Sequence, residues 1–542
     1  MKLYTFNKFA ILCVAGLTFA SCKKNKEEMT PVTTPGTEVS RAELTQDSIF
    51  LYAKEVYLWN TGLPEYAAFN PRQYSADSAG FGQELYDITQ YSPVNASTGF
   101  PYEYTGYDGE TKYSYIDDIS QHNVLAAIKN TKSSVDLEGI GNDFGLKVAG
   151  YSIATSDIGF AIYVQAVYQN SPADLSKLTR GCLITKINGK TYGANFDNEI
   201  NAVYDALEGA TVTLEGTLKD GVTPFNVTLT KKSYASSPIY SAKVLDVNGT
   251  KVGYLAYARF SSLDNSQAEF DAAFAKFATA GVTKLVVDLR YNGGGYVSTA
   301  EYLVNLILPA THNGEVMFRE RYNTMMQTGT ATIMKNQPLY NSDGSFQFID
   351  GRVANYTDLA KDYFSEAKQV TNISKKGPLS GVTDVAFIVT RNTASASELV
   401  INSLKPYLNV KIAGTNSYGK PVGFFPITID YKLNAATQKE SGYDIYYSMF
   451  QTTNSLGEGD YFDGFTPDLV LNGDDATHDF GDLEENNLAK AVSLIVPSAL
   501  STTASTMSIR GKRVTKSSVV VRKIYDGNEF NGMIAKRPSL KK

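Results

Sequence analysis

A serine and a lysine, 25 residues apart, have the types and spacing that could support covalent chemistry. Ser395 lies in TRNTASASEL (390–399), where small residues lead into an apolar run. Small neighbours would let a substrate backbone approach the hydroxyl, and the N–H groups at a helix start suit a developing oxyanion. A helix cap, with Glu398 at the third helical position, also explains these letters. The stretch alone leaves a nucleophile and a cap as alternatives.

Lys420, in NSYGKPVGFF, is the candidate base for such a serine. The histidines His122, His312 and His478 lie beside no second catalytic signature, which disfavours a Ser-His-Asp triad. To act near neutral pH, a lysine needs its pKa lowered from about 10.4 to about 7–8. Burial among the apolar residues of 421–425 could lower the pKa of Lys420 in this way. A solvated charge in a Gly-Pro turn is the alternative.

The third candidate element is the glycine run that ends VVDLRYNGGG at Gly295. Glycine N–H groups are unobstructed by side chains, so one could donate an oxyanion hydrogen bond worth about 3 kcal/mol in a transition state. A flexible turn is the alternative. A phosphate-binding loop is disfavoured, because no Gly-Lys-Ser/Thr pattern follows the glycines.

Alternating strands and helices from about Ala242 to Pro497 must position these groups. We predict strands at TKLVVDLR, DVAFIVT and NVKIAGT, and helices at QAEFDAAFAKFATAGV and SASELVINSLKPY. This alternation predicts parallel βαβ units and an α/β layer fold. Ser395 and Lys420 follow two successive strands, so both are expected at the same edge of the sheet.

The region from about Asp136 to Tyr234 is predicted to be rich in strands. Ser171 can cap a helix that begins at Pro172. RGCLITKINGKTY predicts two strands joined by an Asn-Gly turn, and EINAVYDALEG predicts a helix that ends at Gly209. FAIYVQAV, ATVTLEGTL and PFNVTLTK predict further strands.

The N-terminus has the pattern of a secretory signal. Two lysines precede an apolar segment, Phe9 to Phe19, that is short for a membrane-spanning helix, and FASC follows. FASC resembles the bacterial lipobox, which implies lipid attachment to Cys22, although an aliphatic residue is usual where Phe19 stands. A plain secretory signal with a chance cysteine is the alternative.

Composition limits the remaining classes. A net charge of −6 over 542 residues predicts no nucleic-acid partner. The cysteines Cys13, Cys22 and Cys182 form neither a metal-type cluster nor a thiol pair for redox work, and Cys182 is expected to be a small buried apolar residue. No metal or nucleotide cofactor is predicted. The abundant Tyr and Trp59 suggest glycan binding as a further class, but a glycosidase needs a pair of catalytic carboxylates, and no such pair stands out in the sequence.

The three stretches, taken in order, resemble the C-terminal processing (tail-specific) serine peptidases. That family has a DLR-N-N-P-G-G strand-loop, then an S-A-S-A-S-E turn, then a G-K lysine 25 residues after the nucleophile, as Lys420 follows Ser395. GEGDYFDGFTPD resembles the later G-x-x-P-D loop, and NSPADLSKLTRGCLITKINGK resembles a circularly permuted bacterial PDZ domain.

The resemblance implies a role for each matching residue. Ser395 is the implied nucleophile and Lys420 the implied general base. The implied oxyanion hole consists of the N–H of Ala396 and that of Gly294 or Gly295. Asp288 and Arg290 match the DLR letters and are interpreted as structural.

The implied PDZ groove would bind a peptide as an added strand and hold its terminal carboxylate on backbone N–H groups. The candidate carboxylate loop is in FGLKV, at Phe144, Gly145 and Leu146. The alternative is a small β-rich spacer without a ligand.

Two positions depart from the family pattern. Gly293 stands where the family has Pro, and Phe424 stands where many members have a Gln that orients the lysine. Ser397 or Thr393 is expected to take over this orienting role. A catalytically impaired peptide-binding lipoprotein is the alternative to an active enzyme.

The sequence thus predicts a multidomain α/β protein with a crotonase- or ClpP-like catalytic core, a PDZ-like β-rich domain and an N-terminal helical cap. The predicted segments are a signal peptide (1–21), a lipoprotein tether (22–42), a helical domain (43–135), a PDZ-like domain (136–234), a serine peptidase domain (235–498) and a basic tail (499–542). KSSVVVRKI in the tail is predicted to add a strand. The expected function is a serine endopeptidase for polypeptide tails or unfolded chains, lipid-anchored in a bacterial cell envelope, on the periplasmic side or the cell surface.

Overall fold

A computed structural model describes residues 39–121, 135–153, 156, 158–341, 344–434, 439–471, 473–496, 521–522, 532–535 and 537–540. The predicted signal peptide, Cys22 and the predicted tether up to residue 38 lie outside these ranges, as does most of the tail. Among the helices within these ranges, none combines the length and the apolar character needed to span a membrane.

The N-terminal region packs into the same hydrophobic core as the α/β region that follows. Its elements are α1 (Arg41–Val56), α2 (Tyr66–Phe69), α3 (Ser78–Thr89) and β1 (Tyr115–Asp118). Ile49, Phe50 and Val56 on one face of α1 are fully buried in that shared core. Burial of such a face stabilises a helix more than its intrinsic propensity does.

The second region is rich in strands and has a hydrophobic core of its own. Its elements are β2 (Ile140–Asp143), β3 (Leu146–Ser152), β4 (Phe160–Val167), α4 (Pro172–Leu175), β5 (Leu183–Ile187), β6 (Lys190–Thr191), α5 (Phe196–Glu208), β7 (Thr211–Thr217), β8 (Pro224–Thr230) and β9 (Lys232–Ala235). The predicted local signals are present: the Ser171 side chain caps α4, Gly209 ends α5, and Asn188 has the positive φ of a tight hairpin turn. Cys182 is buried in this core.

The third region contains the central sheet. Its elements are β10 (Ile239–Val247), β11 (Thr250–Tyr257), α6 (Leu263–Thr279), β12 (Lys284–Asp288), β13 (Gly294–Tyr296), α7 (Val297–Ile307), β14 (Val316–Tyr322), α8 (Thr324–Gln327), β15 (Phe348–Ile349), β16 (Arg352–Val353), β17 (Val370–Asn372), β18 (Asp384–Val389), α9 (Ala396–Leu404), β19 (Asn409–Gly414), β20 (Val422–Gly423), β21 (Ile427–Asn434), β22 (Lys439–Tyr446), β23 (Phe450–Asn454), β24 (Leu469–Val470) and α10 (Asn486–Ile495). The tail adds β25 (Val521–Arg522) and β26 (Gly532–Ile534).

The central sheet has the strand order β10-β11-β12-β18-β19-β24. Neighbouring strands from β11 to β24 run parallel, and β10 pairs antiparallel with β11. Alternate residues of β12 face two different cores, because Leu285 and Val287 lie in one cluster while Val286 lies in the other. The predicted α/β fold with parallel βαβ units is therefore confirmed. The crotonase- or ClpP-like class of this core stays a prediction.

Two pairings cross the predicted domain boundaries. β1 pairs antiparallel with β22, so the N-terminal region supplies a strand to a sheet of the α/β region. β25 pairs antiparallel with β3, as expected of the tail segment that contains KSSVVVRKI. The predicted boundaries, including the helical cap and the PDZ-like domain, remain predictions.

A buried charge network joins the strand-rich region to the central sheet. Nη1 of Arg290 donates to Asp474 Oδ1 at 2.6 Å and to Glu485 Oε1 at 2.9 Å, and Nη2 donates to Asp288 Oδ2 at 2.7 Å. Arg180 donates to the same Asp474 oxygen at 2.7 Å. Burial by itself raises the pKa of Asp474, but the two arginine charges outweigh it and hold that pKa well below its usual range. These contacts agree with the structural interpretation of Asp288 and Arg290.

Arg290→Met is expected to lower the free energy of unfolding by about 3–5 kcal/mol, because it leaves buried carboxylates without their cation. Urea unfolding followed by circular dichroism measures the change. Arg352→Met is the matched control, since Arg352 also pairs with a carboxylate, Asp358, but its side chain is 55% exposed. An equal effect of the two substitutions would contradict a special role for the buried network.

Candidate active site

Ser395 occupies a sharp turn between β18 and α9. Its backbone has φ 58° and ψ −110°, in a region that residues other than glycine adopt at a cost of about 1–3 kcal/mol. The side chain is fully buried, and its Oγ has no hydrogen-bond partner among the described residues. A buried hydroxyl without a partner costs stability, so the turn holds the Ser395 oxygen in a position that folding alone does not favour.

Glu398 fixes this turn and the Lys420 turn together. Oε2 accepts hydrogen bonds from the N–H groups of Ser395 and Lys420, both at 2.8 Å. Oε1 accepts from the N–H of Gly419 at 2.7 Å and from Oγ of Ser417 at 2.6 Å. The amide nitrogens of Ser395 and Lys420 therefore lie within two hydrogen-bond lengths of each other. The predicted meeting of the two turns at one sheet edge has this carboxylate at its centre.

Glu398→Gln is expected to reduce activity at least tenfold and to lower the free energy of unfolding by about 1–3 kcal/mol. Each Glu398 oxygen accepts hydrogen bonds from two donors. An NH₂ group in place of either oxygen is itself a donor, so it cannot accept these hydrogen bonds. The lost negative charge also lowers the pKa of Lys420, which moves the acidic limb of the pH–rate profile to lower pH. Glu366→Gln, at an exposed position, is the control for both measurements.

The Lys420 side chain is buried, with 1% exposure. Its Nζ donates to the backbone carbonyl of Tyr113 at 3.2 Å and lies 4.8 Å from the centre of the Phe424 ring. Burial lowers the pKa of Lys420 from 10.5 to about 7, while the nearby carboxylates Glu103 and Glu398 partly oppose this shift. The lowered pKa makes the neutral amine, the state that a general base requires, accessible near neutral pH.

The N-terminal region supplies a hydrogen-bond acceptor for the lysine. Ser397 and Thr393, which we expected in this role, donate instead to the carbonyl oxygens of Asn292 and Leu289. Both hydroxyls satisfy neighbouring backbone acceptors, and the Tyr113 carbonyl accepts from Lys420. The Tyr113 hydroxyl also donates to the Gly419 carbonyl, so Tyr113 contacts the lysine turn twice.

Glu103 is a second contribution of the N-terminal region to the site. This buried carboxylate accepts from the N–H groups of Tyr113 and Ser114, at 3.1 and 2.9 Å, and from Oγ of Ser448 at 2.7 Å. It thereby fixes the backbone whose carbonyl meets Lys420. No local sequence motif marks Glu103 or Tyr113, and only the tertiary structure reveals them.

The glycine run meets the nucleophile turn at Gly294. A β-carbon built on Gly294 would lie 3.0 Å from the amide nitrogen of Ala396 and 3.0 Å from the carbonyl oxygen of Ala394. Gly294 and Gly295 have φ values of 111° and 135°, which favour glycine. The N–H of Gly294 donates to Oδ1 of Asn292 at 3.0 Å. The N–H of Ala396, in the first turn of α9, has no acceptor within the helix. The structure thus places Gly294 beside Ala396, with the Gly294 N–H bonded to Asn292, and the oxyanion role of these residues stays a prediction.

The other predicted site residues lie elsewhere in the fold. Phe144 and Gly145 join β2 to β3, Leu146 is the first residue of β3, and Gly145 has φ 74°. The N–H of Gly145 donates to its own neighbour, Asp143 Oδ1, at 2.6 Å. The carboxylate-binding role of this loop stays a prediction.

Neither histidine in the described ranges hydrogen-bonds to Ser395. His312 lies beside Glu315, and His478 lies 2.8 Å from Asp475. His122 is outside the described residues.

Comparison with known proteins relates part of the chain to a peptidase family. Residues 251–470 match the model for peptidase family S41, so the chain carries a domain of this peptidase family, as the motif resemblance predicted. The "Probable CtpA-like serine protease" of Staphylococcus aureus is 25% identical over 287 residues, 53% of this chain and 46% of that protein. Its namesake in Staphylococcus saprophyticus is 23% identical over 299 residues, 54% of this chain and 48% of that protein. The chain spans about half the length of these curated relatives.

A solved structure shares the fold over most of the chain. The crystal structure of a candidate S41 protease from Bacteroides fragilis superimposes with a TM-score of 0.55 at 22% identity, and covers 83% of this chain and 97% of that chain. At this identity the match shows a common fold.

Proposed function

We propose that the protein is a serine endopeptidase that cleaves polypeptides through Ser395, with Lys420 as the general base. The observation that carries the proposal is the arrangement around Glu398. One carboxylate holds the turn of a buried, unpartnered serine hydroxyl and the turn of a buried lysine whose pKa is about 7. A buried lysine with a strongly lowered pKa, held beside a buried hydroxyl, is an arrangement typical of functional sites.

In the proposed reaction, Oγ of Ser395 attacks the peptide carbonyl carbon while its proton passes to Nζ of Lys420. The oxyanion accepts hydrogen bonds from the N–H of Ala396 and from that of Gly294 or Gly295. The C–N bond then breaks, the leaving amine takes the proton from Lys420, and an ester on Ser395 remains. Water attacks this ester with Lys420 again as base, which releases the carboxylate product and restores the serine.

The substrate class follows from the strand-rich region. We propose that this region captures polypeptide tails or unfolded chains by strand addition, in the manner of a PDZ domain. Its separate hydrophobic core supports an independent binding unit. Lipid attachment at Cys22 and a location in the bacterial cell envelope are proposed from the sequence pattern alone.

A catalytically impaired peptide-binding protein is the second candidate, and Phe424 favours it. An aromatic ring in place of an orienting Gln cannot accept a hydrogen bond from Lys420. The Tyr113 carbonyl supplies such an acceptor at 3.2 Å, which supports the active enzyme.

Trapping the acyl-enzyme separates the two candidates. The protein is mixed with a peptide para-nitrophenyl ester at pH 8, quenched in acid and analysed by intact mass and by peptide mapping. We expect one acyl group on the peptide that contains Ser395 and none on the Ser395→Ala variant. An unmodified Ser395, with casein left intact, would support the binding protein.

A further inference from the structure

The C-terminal strand β26 lies against the glycine loop of the candidate active site. Gly532, Met533 and Ile534 pair in parallel with residues 294–296, and the N–H of Gly532 donates to the Gly293 carbonyl at 3.2 Å. The backbone of the glycine loop, which carries the candidate oxyanion donors, therefore pairs with the chain's own tail.

The opposite edge of β26 is bonded to the loop that follows Lys420. The N–H of Phe424 donates to the Met533 carbonyl at 3.2 Å, and the N–H of Ala535 donates to the Phe424 carbonyl at 3.0 Å. Met533 is fully buried, and its Sδ would lie 3.2 Å from a β-carbon built on Gly423. The tail strand thus fills a cleft between the two loops that carry the site.

A tail carbonyl lies next to the predicted oxyanion hole. The carbonyl oxygen of Gly532 is 2.5 Å from the position of a β-carbon on Gly294, and the amide nitrogen of Ala396 is 3.0 Å from the same position. A main-chain carbonyl at this place is what a bound polypeptide substrate would present.

The tail occupies a second place that suits an extended polypeptide. β25 pairs antiparallel with the edge of β3, through Val521 with Tyr151 and Arg522 with Gly150. β3 begins at Leu146, the last residue of the predicted carboxylate loop. An exposed strand edge is a general site for strand addition, and the tail covers this one.

We propose that the tail, through β25 and β26, is an intramolecular pseudosubstrate: a segment that occupies the polypeptide-binding track of the enzyme and must leave before a substrate can bind. This inference rests on the proposed function. Recognition through backbone hydrogen bonds does not depend on sequence, so one cleft can accept either the tail or a foreign chain. The covalent link gives the tail an effective concentration in the millimolar range, which favours it over dilute substrates.

Two variants of the full protein test the proposal by casein hydrolysis. One variant ends at Asn531, which deletes β26. The other, Ala535→Pro, keeps the full length but removes the N–H that donates to Phe424. If the tail fills the cleft at least about 90% of the time, both should raise kcat/KM about tenfold or more. Ser539→Pro, a proline in the same tail at a residue without such a backbone bond among the described contacts, is the control and should change little.

A binding measurement keeps this inference separate from the proposed activity. A fluorescent peptide of residues 521–542 should bind the Ser395→Ala chain that ends at Asn531, and should bind full-length Ser395→Ala at least tenfold more weakly, as judged by anisotropy. A scrambled peptide is the control. Equal binding to both chains, binding to neither, or equal casein hydrolysis by the active full-length and shortened chains would overturn the proposal. If peptide binding behaves as expected and no chain hydrolyses casein, the proposed function fails and the tail site stands.

Discussion

Ser395→Ala is expected to lower kcat for casein or a peptide substrate by about 10⁴-fold or more, because the attacking oxygen is lost and only the oxyanion donors and binding remain. KM should change little, since Oγ makes no hydrogen bond that substrate binding would break. Removal of a buried hydroxyl without a partner should also raise the melting temperature slightly. Steady-state kinetics and thermal unfolding of purified protein provide both values.

Ser403 offers a matched control for this substitution. It lies on the same helix α9, is equally buried, and its Oγ also has no hydrogen-bond partner among the described residues. Ser403→Ala removes the same atom from the same element and should leave kcat near the wild-type value. If the two alanine variants lose activity equally, or if Ser395→Ala keeps it, Ser395 is not the nucleophile.

Lys420→Met is the substitution with the second large expected effect. It should lower kcat about 10²- to 10⁴-fold, as expected for loss of a general base. In the wild type, activity should rise with pH through an apparent pKa near 7, because the neutral amine is the active form. Lys375→Met is the control. Lys375 is another lysine whose pKa burial lowers, to about 8, and its Nζ also donates to a backbone carbonyl, that of Leu306, but it is not part of the proposed site.

Stability gives an independent measure of the same lysine. The pKa of Lys420 is about 7 in the folded protein and 10.5 as its ordinary value, so the unfolded chain binds more protons between these limits. Wild-type stability therefore gains from this group as pH rises from 7 to 10.5, and below pH 7 the full cost of a buried charge applies. Lys420→Met should remove that cost and stabilise the protein more at pH 6 than at pH 9.

A Lys420→Met variant that keeps full activity would exclude Lys420 as the base. A pH–rate profile that Lys375→Met shifts and Lys420→Met does not shift would exclude it as well.

The sequence predicted the parts of the site that local patterns encode. Continuous apolar strands followed by small residues or glycines predicted the α/β layers and the places of Ser395 and Gly294. Glu398 was predicted only as a cap residue, because the two further backbone donors and the Ser417 hydroxyl reach it from the next strand turn, which only the fold brings near.

Other parts left no signal in the sequence. One acceptor for Lys420 is the main-chain carbonyl of Tyr113, and since every residue carries such a carbonyl, the sequence does not mark this one. We expected a nearby hydroxyl, Ser397 or Thr393, but both bond to local backbone. β26 begins with glycine in NGMIA and lacks strand periodicity, because its pairing depends on the cleft that receives it and not on its own propensity.

The contact between Lys420 and Tyr113 makes this active centre a composite of distant stretches. The segment that matches the peptidase family starts at residue 251, so it excludes the carbonyl that receives the lysine amine and the carboxylate of Glu103 that steadies it. Excision of the matched segment would separate Lys420, the proposed base, from the Tyr113 carbonyl that accepts its hydrogen bond. Sequence changes in the N-terminal region are therefore coupled to the proposed site through the backbone carbonyl of Tyr113.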